Sequence, residues 1–359
     1  MFTRKTVLLA ITSGVCASAL LVSSYACRHD SSNDGAPFYG KRFKQSFHAG
    51  VSVGDLAEVK IDTNELRYSY EVTEGIYNGT KKSGSLQSLP EFGGALYKTD
   101  AGANLLVVPN EVIIGGIMNH FYVGVPTQSA ALSAADLTGT YNYIHFMETS
   151  QGDHTGYGSV ELSANGTFHL AEKKAVSQAK LQDITSGTYK DLGNGVVELF
   201  ATDSNKVANV LVRARANGQT FAVIDFSQGT GYAGIGFAQK QSAVQTKVSL
   251  EGEYNILVTG EEKSTTGDVV GNDYIRIKEP DSQNLFSIKL SQNSPWNGLV
   301  SGESVGKLPD IDGEKDMKLR FYGIYSESSK TLYGVIEYLN NRNQPSKVVP
   351  ASAFIAIKK

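Results

Sequence analysis

Among its 359 residues the chain has two cysteines, no block of basic residues and, beyond about residue 26, no long apolar run. With so few cysteines, an internal disulfide framework and thiolate metal sites are excluded. Without a run of about 20 apolar residues, there is no transmembrane helix in the body of the chain. The absence of a basic run, together with a formal charge of −3, leaves no electrostatic footprint for nucleic acid. Helical periodicity is missing too, and Ala171–Leu181 is the one stretch that predicts a short helix. Parallel sheets need crossover helices of a dozen residues or more, so the strands here must pair antiparallel.

The N-terminus reads as a signal peptide. Arg4 and Lys5 form a short basic region, and an apolar stretch rich in small residues follows from Val7 to Ala26. Cys27 comes directly after Ser23-Ser24-Tyr25-Ala26, a sequence that resembles the lipobox of bacterial lipoproteins. Small residues there let the extended chain enter a peptidase, and the Cys27 thiolate is the nucleophile that accepts a diacylglyceryl group. Ordinary cleavage after Ala26 is the alternative reading of the same residues. A fatty-acylated N-terminus (palmitate being a typical chain) supplies several hydrophobic chains and anchors stably to a bilayer. Cys16 lies within the leader, and losing Arg4 and Lys5 takes the charge from −3 to −5. Residues 27–47 are expected to form a tether, polar and turn-forming at Arg28-His29-Asp30-Ser31-Ser32 and beyond. Arg28, in the place of an aspartate, resembles the outer-membrane sorting choice.

What the chain does have is 37 glycines and 18 tyrosines, a mixture suited to many turns between half-exposed strands. Leu66, Tyr68, Tyr70 and Val72 alternate with polar residues. Leu105–Val108 and Val112–Ile114 are continuous apolar runs, which predict strands buried on both faces. Asn165-Gly166 and Asn217-Gly218 sit between alternating segments and predict tight hairpins. Leu137-Thr138-Gly139-Thr140-Tyr141-Asn142 recurs 113 positions later as Leu250-Glu251-Gly252-Glu253-Tyr254-Asn255. The two series close alike, with Phe237-Ala238-Gln239-Lys240 and Ile355-Ala356-Ile357-Lys358-Lys359. The expected organisation is a signal peptide (1–26), the tether (27–47), an N-terminal β-unit (48–127) and two related repeats (136–241 and 249–359). Gln128–Ala135 serves as a linker. The fold class is all-β, with tandem antiparallel meander barrels or sandwiches.

The opening Gly-x-Tyr of each repeat resembles the Gly-x-Trp that begins the first strand of lipocalins and related calycin barrels. That resemblance implies a small meander barrel for each repeat and brings no binding residue with it. The lipobox, tether and Gly-x-Tyr units together resemble uncharacterised lipoproteins of proteobacteria.

The sequence assembles no catalytic constellation. His29, His48, His120, His145, His154 and His169 form no His-x-x-x-His or His-Glu-x-x-His pair, and no Gly-x-Ser-x-Gly elbow occurs. Asp153-His154 reads as a solvated turn, and His145 and His169 as strand residues that alternation could bring to one face. Gly229–Gly234 reads as turn chemistry rather than a phosphate loop, because it precedes a strand and not a helix. Gly267–Asp273 and Asp310–Asp316 cluster carboxylates in loops without the spacing of a calcium loop. The tyrosines read as core and cross-strand packing. No cofactor, metal or catalytic residue is therefore expected, and the chain reads as a non-enzyme. The expected role is a lipid-anchored envelope protein, sited at the outer membrane through Cys27, that binds another envelope or host protein. The alternative is a lipocalin-like carrier whose barrel encloses a small apolar ligand.

Overall fold

Period-two alternation broken by short turns closes into three eight-stranded barrels. The computed structural model describes residues 42–89, 95–117, 120–127, 132–149, 152–175, 186–214, 220–226, 232–241, 248–258, 265–271, 273–278, 285–291, 298–308, 315–327, 329–340 and 352–359. Barrel 1 opens with β1 (Lys44–Val51), β2 (Asp55–Asp62), β3 (Arg67–Glu74) and β4 (Lys81–Ser88). It closes with β5 (Leu96–Thr99), β6 (Asn104–Val108), β7 (Val112–Ile117) and β8 (His120–Pro126). A four-residue helix, α1 (Ala134–Leu137), leads into barrel 2. That barrel begins with β9 (Gly139–Thr149), β10 (Gly152–Leu162), β11 (Thr167–Ala175) and β12 (Ser186–Gly193). It ends with β13 (Val196–Ala201), β14 (Lys206–Ala214), β15 (Thr220–Phe226) and β16 (Tyr232–Lys240). Barrel 3 starts with β17 (Gly252–Val258), β18 (Thr265–Val270), β19 (Tyr274–Lys278) and β20 (Leu285–Leu290). The last four strands are β21 (Leu299–Ser304), β22 (Lys318–Ser326), β23 (Thr331–Leu339) and β24 (Ser352–Lys358). In each barrel every strand pairs antiparallel with the next, and the eighth returns to pair with the first.

Alternation decides what fills each barrel. In barrel 2, Tyr141 and Tyr143 of β9 point inward with Val160, Leu162, Phe168, Val210, Val212, Ala222 and Ile224. Bulk on β9 is matched by its absence on both neighbours. Tyr143 lies across from Gly158 and Ala238, and His145 lies across from Gly156 and Gly236. A small barrel has room for few large side chains in one layer, and flanking glycines provide that room.

The outward residues of the same strands are also apolar where the barrels meet. Ile144, Leu211, Phe221, Val223, Ile235 and Phe237 of barrel 2 pack with Val123 and Val125 of barrel 1 and with Tyr322, Ile324, Tyr333 and Val335 of barrel 3. All are buried. The molecule thus has four cores: one inside each barrel and a fourth in the seam between them. Away from the seam the outer faces carry charged residues, as with Glu58 and Lys60 on β2. Apolar inside and charged outside is the reverse of a barrel that faces lipid.

Several expectations change on the structure. The N-terminal β-unit is a third barrel of the same topology, and β1 begins at Lys44, inside the stretch expected to be tether. Ala171–Ala175 belongs to β11 rather than a helix, because the β10 ladder continues through Gly156↔Ala175; residues 176–181 lie outside the described residues. Leu66 is not on the strand it seemed to start: it occupies the β2–β3 turn with φ 53° and is exposed. In the linker, Ser133 and Asp136 cap α1 reciprocally, with Ser133 N–H donating to Asp136 Oδ2 at 2.8 Å and Asp136 N–H to Ser133 Oγ at 3.1 Å.

Candidate functional site

The recurring Leu-x-Gly-x-Tyr segment builds a plug at one end of barrels 2 and 3. Gly139 and Gly252 open their strands at φ 131° and 143°, backbone angles that an L-residue rarely adopts. This bend turns Leu137 and Leu250 back under the barrel, where both are buried. The tyrosine two residues on then donates its hydroxyl to the leucine carbonyl, Tyr141 to Leu137 at 2.8 Å and Tyr254 to Leu250. A lysine on the closing strand covers the glycine. Lys240 lies across from Tyr141 and Lys358 across from Tyr254, and their ammonium groups donate to the carbonyls of Ala135 and Glu251. Gly139 and Gly252 have no side chain, so each lysine stem can lie against the backbone; an added Cβ would meet Lys240 Cε at 2.9 Å. Burial pushes both phenols well above the ordinary tyrosine range. The first strand of barrel 1 does not open with Gly-x-Tyr. There Phe43 packs on the interior cluster, tied by its N–H to Thr63 Oγ1 at 2.8 Å.

Above the Tyr141 plug, barrel 2 holds an apolar cavity of about 40 Å³ lined by Tyr141, Tyr143, Leu170, Leu199, Val210 and Phe226 among others. A drug-sized or lipid-sized ligand needs roughly 300 Å³ or more. This space is a packing defect by comparison. His145, fully buried, stacks on Tyr143 at 5.7 Å and meets Phe226 edge-on at 5.9 Å. His169 is exposed on the outside of the same barrel, so the two histidines do not share a face.

The other sequence candidates disperse. His154 lies on β10 opposite Met147 and not in a turn. Asp268 lies on β18 and pairs with Arg276 of β19 rather than forming a loop cluster. Asp316 pairs with Lys307 at 2.6 Å, while residues 309–314 lie outside the described residues. So do Cys27, the leader, Asn217-Gly218 and residues 229–231 of the Gly-rich segment; Tyr232–Gly234 open β16. Among the described residues, no three His, Cys, Asp or Glu side chains converge as metal ligands.

Sequence reasoning missed the polar residues of the seam. Glu111, in the β6–β7 turn of barrel 1, is buried and accepts the Tyr333 hydroxyl at 2.9 Å and the Ser329 hydroxyl, both from barrel 3. The Tyr333 ring packs on Phe221 and Phe237 of barrel 2, with centroids at 4.9 and 5.4 Å. One side chain therefore touches all three barrels. At the seam of barrels 1 and 2, Lys206 of β14 pairs with Glu74 of β3 and with Glu198 of β13 at 3.1 Å. A signal was present for Glu111 and Glu198, each an acidic residue beside apolar runs, and none for Glu74 or Lys206, which lie in polar segments.

The outer face of β2, β3 and β4 carries an open polar groove of about 340 Å³. Its walls are Glu58, Lys60, Ser69, Tyr70, Glu71, Lys81, Lys82 and Ser83, and Lys81 pairs with Glu71 at 2.8 Å. Charges of both signs alternate across this sheet, a surface suited to a polar, charged partner.

No family model and no curated protein sequence matches the chain. Among solved structures it is similar to a double mutant of the vaccine antigen transferrin binding protein B from Haemophilus parasuis. The identity is 10% and the TM-score 0.29, over 85% of this chain and 65% of that one. The isotype 1 protein from serogroup B Neisseria meningitidis matches at 12% identity and a TM-score of 0.25, over 85% and 66% of the two chains. An intact two-lobed transferrin binding protein B matches at 11% and 0.24, over 92% and 81%. The chain spans about two thirds of the length of the first two. TM-scores this low transfer neither function nor partner to this chain.

Proposed function

We propose that this chain is a lipid-anchored protein of the bacterial cell envelope, held at the outer membrane through Cys27, that binds another envelope or host macromolecule without catalysing a reaction. The observation that carries this reading is the filled barrel interior. Both Gly-x-Tyr barrels are plugged by a buried tyrosine, and the cavity above Tyr141 is about 40 Å³. The surface has more to offer a partner, in the polar groove on barrel 1 and in three barrels packed along a shared apolar seam.

Two measurements test it. Cys27→Ser should abolish labelling by a fatty-acid analogue and move the protein into the soluble envelope fraction. The folded protein should take up no stoichiometric apolar fluorescent probe. Saturable 1:1 uptake that disappears in a fully folded Tyr141→Ala variant would make the chain a carrier, and a wild type that never labels would remove the anchor.

A further inference from the structure

The seam between barrels 1 and 2 contains a carboxyl group without an evident structural partner. Asp225 lies near the end of β15, on the outward face, and is fully buried. Neither of its oxygens makes a well-formed hydrogen bond. Its cross-strand neighbour on β14 is Asn209, whose Oδ1 is also buried and receives no donor. Barrel 1 meets this pair with Gly50 of β1. A Cβ on Gly50 would stand 2.6 Å from Asp225 Cβ, so the carboxyl arm rests directly on bare backbone.

The surroundings favour the neutral acid. Asp55 of β2 and Glu74 of β3 approach with negative charge, and among the described residues Lys206 of β14 is the cation that acts on the group. Lys206 is already committed to Glu74 and Glu198. Asp55 accepts the N–H groups of Ile76 and Tyr77 at 2.9 Å each. His48, two residues before Gly50, is driven by burial below its ordinary pKa, so it adds no positive charge at neutral pH. On the remaining sides β8 and β16 present Val123, Val125 and Ile235.

We propose that Asp225 is a proton-operated latch between barrels 1 and 2, docked as the carboxylic acid with its O–H donated to Asn209 Oδ1. Losing that proton to solvent breaks the O–H bond and leaves an anion facing Asp55 and Glu74, and the seam loosens. Burial, first, and the two neighbouring carboxylates raise the Asp225 pKa well above the usual range when docked, outweighing what an Asn209 amide N–H and Lys206 offer the anion. In an opened seam the group meets water and returns to about 3.9. The docked state therefore holds the proton more tightly, and docking is strongest at acid pH. Between those two pKa values, opening becomes easier by up to about tenfold per pH unit, then levels off.

The test is native-state hydrogen exchange of β1 and β15 amides in the full chain in detergent, from about pH 5 to about pH 9, corrected for intrinsic exchange. Expected is a rise in the opening equilibrium approaching tenfold per pH unit in the wild type and a flat profile in Asp225→Asn, which keeps the shape without the charge. Equal slopes in both proteins overturn the latch. Should Asp225→Asn fail to fold, the ¹³C shift of the Asp225 carboxyl in the wild type decides alone. Ionisation in the ordinary aspartate range refutes the proposal, and a carboxyl still protonated at about pH 6 supports it.

Discussion

Tyr333 is the side chain whose loss should be felt by all three barrels, and the structure sets how much. Its ring is fully buried between Phe221 and Phe237, and its hydroxyl is given to the buried Glu111 at 2.9 Å. Tyr333→Phe keeps the ring and removes one donor from a buried carboxylate, leaving Ser329 as a donor. Hydrogen bonds to charged groups contribute about 1.5–3 kcal/mol, so the variant should lose roughly that much. Tyr333→Ala also empties the ring volume and should cost about 3–5 kcal/mol. Urea unfolding followed by far-UV dichroism gives each loss, and a cycle with Glu111→Gln isolates the pair. A coupling energy above about 1 kcal/mol is expected. If Tyr333→Phe stays within about 0.5 kcal/mol of wild type and the cycle shows no coupling, then Glu111 does not depend on this hydroxyl and the three-barrel junction is apolar packing alone.

Gly50→Ala should destabilise the seam of barrels 1 and 2 by about 1–3 kcal/mol, because its Cβ would collide with the root of Asp225 rather than with a flexible tip; exchange that rises at β1 and β15 but not within barrel 3 is the expected readout, and an unchanged seam would refute it. Alkaline titration should show a second effect. Burial pushes Tyr68 and Tyr325 up to about 12 and Tyr122, Tyr141, Tyr254 and Tyr322 higher still. These raised values stabilise the fold fully below the ordinary phenol pKa of about 10, and that contribution is lost as pH climbs through the folded values. Part of the tyrosine absorbance should therefore stay silent until the protein unfolds, and complete ionisation near pH 10 with unchanged dichroism would contradict the buried plugs.

The fold class was legible because meander barrels advertise themselves locally. Short turns such as Asn165-Gly166 join neighbouring strands, and the Asn165 side chain accepts the Thr167 N–H at 3.2 Å to set the turn. The Gly-x-Tyr signal was legible because it has a geometric job, with a left-handed glycine, a hydroxyl reaching back four residues and a lysine across the ladder. Barrel 1 escaped recognition as a third copy because it closes the same topology with Phe43 and Thr63, which leave no comparable spacing in the sequence. The short-helix reading of Ala171–Ala175 failed for a different reason: propensity was outvoted by ladder pairing to β10, as happens when tertiary pairing competes with a weak local preference.

The seam was harder to read because period two identifies one buried face and says nothing about which strands bury both. Continuous apolar runs do carry that information. β6 reads Asn-Leu-Leu-Val-Val, with Leu105 and Val107 filling barrel 1 while Leu106 and Val108 enter the seam. The same reading extends to β15, Thr-Phe-Ala-Val-Ile-Asp-Phe, and to β23, Thr-Leu-Tyr-Gly-Val-Ile-Glu-Tyr-Leu. Both segments are apolar on both faces, as strands between two cores must be, and both contain one acid. In a strand exposed on one side, Asp225 or Glu337 would be an ordinary solvated charge. In a strand buried on both sides, each becomes a group whose charge has to be matched by a partner or given up. Glu337 meets Arg320, with Oε2 at 3.6 Å from the guanidinium, and keeps a cation beside it. Asp225 faces Asp55, Glu74 and a lysine already shared by two glutamates. The rule that fails at Asp225 is the one that places charge in water, and such failures concentrate where a structure is poised to change.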